Sequence, residues 1–476
     1  MSLGRRVAFN LGLITAARGL GLAISAVTFA ILARRLGPEA FGQYTYAVVF
    51  VTIFTAFTDH GLNLPIVRRL AANPEDLPRV FGNALVLKAL TGTGAALLAV
   101  LLGWLLPLPA GAAPAIAIAA GLVLTTSLTV ANGVFQVRLR MAPVALADVL
   151  SRGAFLAAAL VLLARGGGVR SILAAQVVTT GLSTAALVLM AARLVRPRFA
   201  PDWRLWREVV RPAIPLTLSL VLGMVYQRLD LFLVEHFRGA AAAGHYAAAF
   251  RIVDLGILIP GLTMVVVFPV FAERFRGGRE ALAAVTRPVL DVMALAGLSL
   301  ALLLAFRSRD ILALVAGAAF VEAGPALALL GWGMAAIFLS NAYGYLLVAA
   351  GLERFNLGLA LAGLATSVTL NLALIPVYGL IGGGWASIGT QVVVLLLAGA
   401  VVARRVGVPV WPPAWKELAG LAAGLALLLA GLGQLGLALL PTIGVYGIAL
   451  AAFLAGHPRW RSEVASMVST RRAARP

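Results

Sequence analysis

Five basic residues stand inside stretches of sequence that are otherwise almost wholly apolar: Arg18, Lys88, Arg152, Arg228 and Arg251. Three acids share such stretches, Asp148, Asp230 and Asp254. A base at mid-span costs roughly 2.5 to 3.5 kcal/mol on membrane-insertion scales, so five unpaired ones would cost on the order of 15 kcal/mol. Pairing or function must offset that. The chemistry such bases offer is anion capture, because guanidinium and ammonium groups hold phosphate and acidic sugars by charge-assisted hydrogen bonds. The acids could carry a proton or a sodium ion, or serve as counter-ions. Asp148 and Arg152 are four apart and share a helix face, as do Arg251 and Asp254, three apart. Arg228 and Asp230 point in different directions, which leaves Asp230 to pair with another helix. The competing reading makes all eight structural pairs or snorkelling side chains.

These residues must be positioned by membrane helices. The chain has 476 residues, 61% of them hydrophobic and 12% charged, with a mean hydropathy of +0.99. No soluble fold hides that much apolar surface, and so few charges exclude a disordered chain. Cutting the sequence wherever charges, prolines or polar clusters interrupt runs of about 20 residues gives an all-α integral membrane protein with fourteen transmembrane helices. The last two are divided only by a weak break at Leu437 to Pro441. Arg5 and Arg6 ahead of the first run resemble a secretory signal, but the run fills a whole span, so it reads as an uncleaved first helix. Asp59, His60 and Asp291 fall near helix ends and are expected to be solvated there.

The net charge of +20 would suggest nucleic-acid binding in a soluble protein. Here it follows from topology. With alternating crossings, most of the 38 bases fall on the side of the N-terminus, and the opposite side receives only Arg34, Arg35, Arg165, Arg170, Arg238, Arg307 and Arg309. Cytoplasmic loops collect bases, so both termini are expected in the cytoplasm. Depth follows from the rise per residue: Arg18, Lys88 and Arg152 lie in the cytoplasmic half of the membrane, Arg228 and Arg251 in the outer half. The basic tail after His457 reads as an anionic-lipid contact.

A polar segment from Arg193 to Arg211 interrupts the chain near its middle. Around it, LARRLGPEAFGQYTYA from Leu32 aligns with VEHFRGAAAAGHYAAA from Val234 at a shift of 202, placing Gly37, Gly42 and Tyr44 on Gly239, Gly244 and Tyr246. A shift of 215 places Gly167, Gly168 and Gln176 on Gly382, Gly383 and Gln391. Six-span repeats in one orientation are the architecture of transporters that alternate access at the interface between halves. Pro212, Pro215, Pro260 and Pro269 are candidate kinks beside Arg228 and Arg251.

The runs LARRLGPEAFGQYTYAVVF, GHYAAAFRIVDLGILIPG and LNLALIPVYGLIGGGWAS, in that order, resemble the polysaccharide or oligosaccharide (Wzx-type) flippases of the multidrug/oligosaccharidyl-lipid/polysaccharide (MOP) exporter superfamily. The resemblance extends to about Ala403. It implies two six-helix bundles with a MATE-like pseudo-twofold repeat, residues 1–205 and 206–406, and two extra helices with a basic tail, residues 407–476. It also implies an inner-membrane protein whose cargo is a polyprenyl-pyrophosphate-linked oligosaccharide, a surface polysaccharide repeat unit such as that of O-antigen. A proton or sodium ion, a polysaccharide polymerase and other assembly proteins are the further partners implied, and nucleic acid is not one. The alternatives within the superfamily are a multidrug or cation exporter and a lipid II flippase.

Enzyme chemistry has little to stand on. The chain lacks cysteine, a GxxxxGK[ST] loop, an HExxH motif and a GxSxG elbow, and His60, His236, His245 and His457 are scattered. No cofactor or metal is expected. Short loops also argue against a membrane glycosyltransferase or polymerase.

Overall fold

The computed structural model describes residues 3–58, 76–457 and 460. Asp59, His60, Arg68, Arg69 and the basic tail beyond His457, Trp460 excepted, lie outside the described residues. Every regular element among those described is helical. Twelve helices are long and apolar enough to cross a membrane. We number them α1 (Leu3–Thr58), α2 (Leu77–Leu105), α3 (Ala112–Val137), α4 (Ala142–Ala164), α5 (Val169–Leu194), α6 (Trp203–Arg276), α7 (Arg279–Val315), α8 (Ala318–Ala349), α9 (Arg354–Tyr378), α10 (Leu380–Val406), α11 (Trp415–Gln434) and α12 (Leu439–Gly456).

The number is twelve because two elements are each two helices joined without a loop. α1 is broken at Gly37 (φ 73, ψ 173) and α6 at Gly239 (φ 84, ψ 175). That backbone conformation is closed to side-chain-bearing residues, so each break needs its glycine. The two are the residues paired by the 202-residue shift. Five positions on, the paired glycines Gly42 and Gly244 meet: a Cβ on Gly42 would overlap the Ala240 carbonyl, and one on Gly244 the Pro38 carbonyl. The contact is reciprocal, as a twofold relation requires.

The chain divides into two compact units, Met1–Gly244 and His245–Pro476. In the first, one apolar cluster gathers Phe50, Val51 and Phe54 of α1, Ile116 and Val123 of α3 and Leu173 of α5. A second joins Phe81 of α2, Phe135 of α3 and Leu187 of α5 to Leu205 and Val209 of α6. The segment between α5 and α6 is tied down as well. Arg198 N–H donates to the Pro78 carbonyl at 2.9 Å, and Asn83 Nδ2 donates to the Ala200 carbonyl at 2.9 Å. Asp202 caps α6, accepting the amides of Arg204 and Leu205 at 3.1 and 3.2 Å, and pairs with Arg79. The Leu205 amide first, then Arg79, holds the Asp202 carboxyl below its usual range.

In the second unit α7 carries the C-terminal pair. Asp291, expected to be solvated, is fully buried and accepts the Ala414 amide at 3.0 Å where α11 begins. Arg307, expected in a loop, lies within α7 and is 8% exposed; α7 continues to Val315. Its guanidinium donates to Asp310 at 2.9 Å, to the Leu437 carbonyl at 3.1 Å and to Thr442 Oγ1 at 2.8 Å. Between them Tyr446 donates to the Ser299 carbonyl at 2.8 Å. The weak break before Pro441 is a distinct turn: Gly436 (φ 65) ends α11, with Leu437 N–H bonded to the Leu432 carbonyl at 3.2 Å. None of Pro212, Pro215, Pro260 and Pro269 breaks α6, whose non-helical residue is Gly239.

Candidate functional site

The first unit assembles part of the expected set along one face of α1. Arg18, Gly21 and Ser25 follow one another at helical spacings of three and four, so they line one side. Across from them, on α4, Arg152 Nε donates to both Asp148 carboxylate oxygens at 3.1 Å, the pairing their spacing predicts. Arg152 Nη1 also donates to Ser25 Oγ at 2.5 Å. Gly21 makes room: a Cβ there would meet Arg152 Nε and Asp148 Oδ2 at 3.2 Å. Arg152 and Asp148 remain 42% and 44% exposed. Arg18 is exposed, and among the described residues it makes no ion pair.

Lys88 is placed elsewhere. It is fully buried on α2, and its ammonium donates to the carbonyl of Thr58 on α1.

On α6, Arg228 is half-buried and Asp230 is 7% exposed. Asp230 Oδ1 accepts the amide of the next residue, Leu231, at 2.8 Å. In the second unit Arg251 is exposed and Asp254 half-buried. Arg251 makes no ion pair among the described residues, so the expected pairing with Asp254 does not form.

Some polar residues escaped the sequence reading. Glu235 on α6 is 4% exposed, and its Oε2 has no hydrogen-bond partner among the described residues. The repeat alignment held a signal for it, since Glu235 falls on Ala33, which is fully buried. Tyr44 donates to Gln176 Oε1 at 2.8 Å, joining two residues that the alignments singled out separately. In the second unit, Tyr246 packs on Gly383, where a Cβ would meet its ring at 3.0 Å. No group of three or more His, Asp or Glu among the described residues could hold a metal ion.

A helical membrane fold with arginines set inside its spans defines a multi-pass membrane protein, and the solved structures it resembles include a flippase and multidrug transporters. A lipid II flippase MurJ in an inward closed conformation superposes with a TM-score of 0.76 at 13% identity, covering 93% of this chain and 97% of that one. An inward-facing multidrug resistance MATE family transporter of the MOP superfamily gives 0.63 at 16% identity, over 81% and 94%. A MOP transporter from Pyrococcus furiosus, described by the reverse polarity of its binding pocket, gives 0.55 at 17% identity, over 84% and 95%. No curated protein matches the chain. The profile of the polysaccharide biosynthesis protein family matches residues 7–275, more than half of the sequence, and the chain belongs to that family.

Proposed function

We propose that this protein is a flippase that carries a polyprenyl-pyrophosphate-linked oligosaccharide from the inner to the outer leaflet of the cytoplasmic membrane by alternating access. The observation that carries the reading is the pair Arg18 and Arg251. Each unit holds one of these exposed arginines in a membrane-spanning helix, and neither makes an ion pair among the described residues. Such charges are retained at a cost, and an anionic cargo gives them a use. Arg152 and Arg228 complete the phosphate and acidic-sugar site, while Lys88 ties α2 to α1 through the Thr58 carbonyl. Asp148, Asp230 and Asp254 are counter-ions or carriers of a coupling proton or sodium ion. The family's place in polysaccharide biosynthesis supports a glycan cargo.

In this reading the chain crosses the membrane fourteen times with both termini in the cytoplasm. Residues 1–205 and 206–406 form the two six-helix halves, and residues 407–476 add two helices and a tail. It hands its cargo to a polysaccharide polymerase and performs no bond chemistry itself. A cation exporter would instead line its cavity with acids, and the bases here favour the anion.

Purified protein in liposomes tests the proposal. A labelled lipid-linked glycan should change leaflet with no new covalent product. Arg18→Ala, Arg228→Ala and Arg251→Ala should each lower the rate at least about tenfold at unchanged thermal midpoint, one lost charged contact being worth about 1.4 kcal/mol or more. Full transport by all three variants would sink the site assignment. Cation efflux without glycan movement would replace the cargo.

A further inference from the structure

Two guanidinium groups converge on one aromatic ring at the start of α9. Arg354 Cζ lies 5.3 Å from the Phe355 ring centroid, and Arg405 Cζ lies 5.7 Å from the same centroid. Together those distances bound the separation of the two cations at about 11 Å. Both arginines are exposed, and neither makes an ion pair among the described residues. Glu353, exposed beside Arg354, makes none either. Like charges held this near repel, and a ring attracts each of them only modestly.

The backbone that presents Arg405 is itself unusual. α10 ends in a π turn, Val402–Val406, closed by Gly407 N–H to the Val402 carbonyl at 3.0 Å. A π turn inserts a residue into the helical register and so re-aims the side chains it carries, and such turns concentrate at functional sites. The depth is that of the membrane boundary. Six residues past Arg405 the chain exposes Trp411, then Trp415 with Lys416 lying 5.6 Å from its ring. Exposed tryptophans beside a lysine sit where hydrocarbon gives way to headgroups.

We propose that Arg354 and Arg405 form a binding site for a lipid-borne phosphate, oriented by the Phe355 ring. Each guanidinium offers a fork of N–H donors to phosphate oxygens, and one anion between them relieves their repulsion. The lipid is either an anionic phospholipid of the bilayer or the pyrophosphate of a lipid-linked glycan. The site stands on its own geometry and does not rest on the flippase reading.

Native mass spectrometry of the purified full chain, offered phosphatidylglycerol, phosphatidylcholine, polyprenyl pyrophosphate or inorganic pyrophosphate, tests it. At least one of phosphatidylglycerol and polyprenyl pyrophosphate should bind about tenfold more tightly than phosphatidylcholine, and which one does so names the source. The Arg354→Gln/Arg405→Gln double variant should lose that preference. Each single variant should lose part of it, which keeps the test decisive if the double variant fails to fold. Phe355→Leu, which keeps both charges, should weaken binding less than the double variant. Unchanged lipid preference in the arginine variants overturns the proposal. Equal binding of inorganic pyrophosphate and the two lipids overturns its lipid part.

Discussion

Lys88 and Arg18 are both bases inside apolar helices, yet the structure treats them differently. Lys88 has no exposure and a carbonyl partner on another helix, whereas Arg18 is exposed. Substitution should separate them. Lys88→Met keeps an unbranched side chain one atom shorter and removes the donor, leaving the Thr58 carbonyl with one partner fewer, and a buried polar group so deprived costs about 1 to 3 kcal/mol. The expected result is a lower thermal midpoint, with transport per folded molecule unchanged. An unaltered midpoint with abolished transport would return Lys88 to the cargo site. The sequence places both residues in the membrane but does not disclose the partner of Lys88, which lies 30 residues away on another helix. The bond between Asp148 and Arg152 was legible because both ends of it lie within one helical turn.

Helix ends show the same division between local and distant causes. Gly37 and Gly239 are readable from spacing, since the repeat carries the same glycine to the same place and only glycine takes the conformation found there. Asp291 and Arg307 read as solvated from the sequence because an acid or a base near a span boundary ordinarily is, and nothing nearby announces Ala414, 123 residues on, or Thr442, 135 residues on. The contact between Gly42 and Gly244 allows a firm expectation. A methyl group at either position would collide with a carbonyl of the opposite segment, which cannot move without moving its helix. Gly42→Ala and Gly244→Ala should therefore push the two segments apart. The chain has no cysteine of its own, so Ala240→Cys can report on the contact. It should react with a thiol reagent severalfold faster in the Gly42→Ala background, and transport should slow. Equal labelling rates would mean that the added methyl is accommodated without parting the two segments.

For the molecule as a whole, the question is whether the two glycine breaks reverse the chain. The described apolar part of α1, Gly12–Thr58, has 47 residues, and that of α6, Val221–Arg276, has 56. At 1.5 Å per residue these would extend roughly 70 and 84 Å, against a hydrocarbon core of about 30 Å. Neither fits one crossing, and each fits two if the chain turns back at the glycine. α7 shows that length alone does not decide the matter. Its 37 residues exceed one crossing too, but Arg279 at its start and Arg309 near its end mark where it leaves the apolar layer. Charge decides for α1 and α6. Arg34, Arg35 and Glu39 flank Gly37, while Arg238 precedes Gly239, so each break belongs in water at a membrane face. If both reverse, loop sides alternate so that bases gather with the N-terminus, as the positive-inside rule requires. Single cysteines can read this in intact cells. An impermeant thiol reagent should label Glu39→Cys, Gly168→Cys and Ala241→Cys from outside, and Arg196→Cys and Arg276→Cys only after permeabilisation. Outside labelling of Arg196→Cys would mean that Gly37 does not reverse the chain. The positive charge would then lie on the wrong side of the membrane, and Arg152, which follows the break, would have its depth inverted.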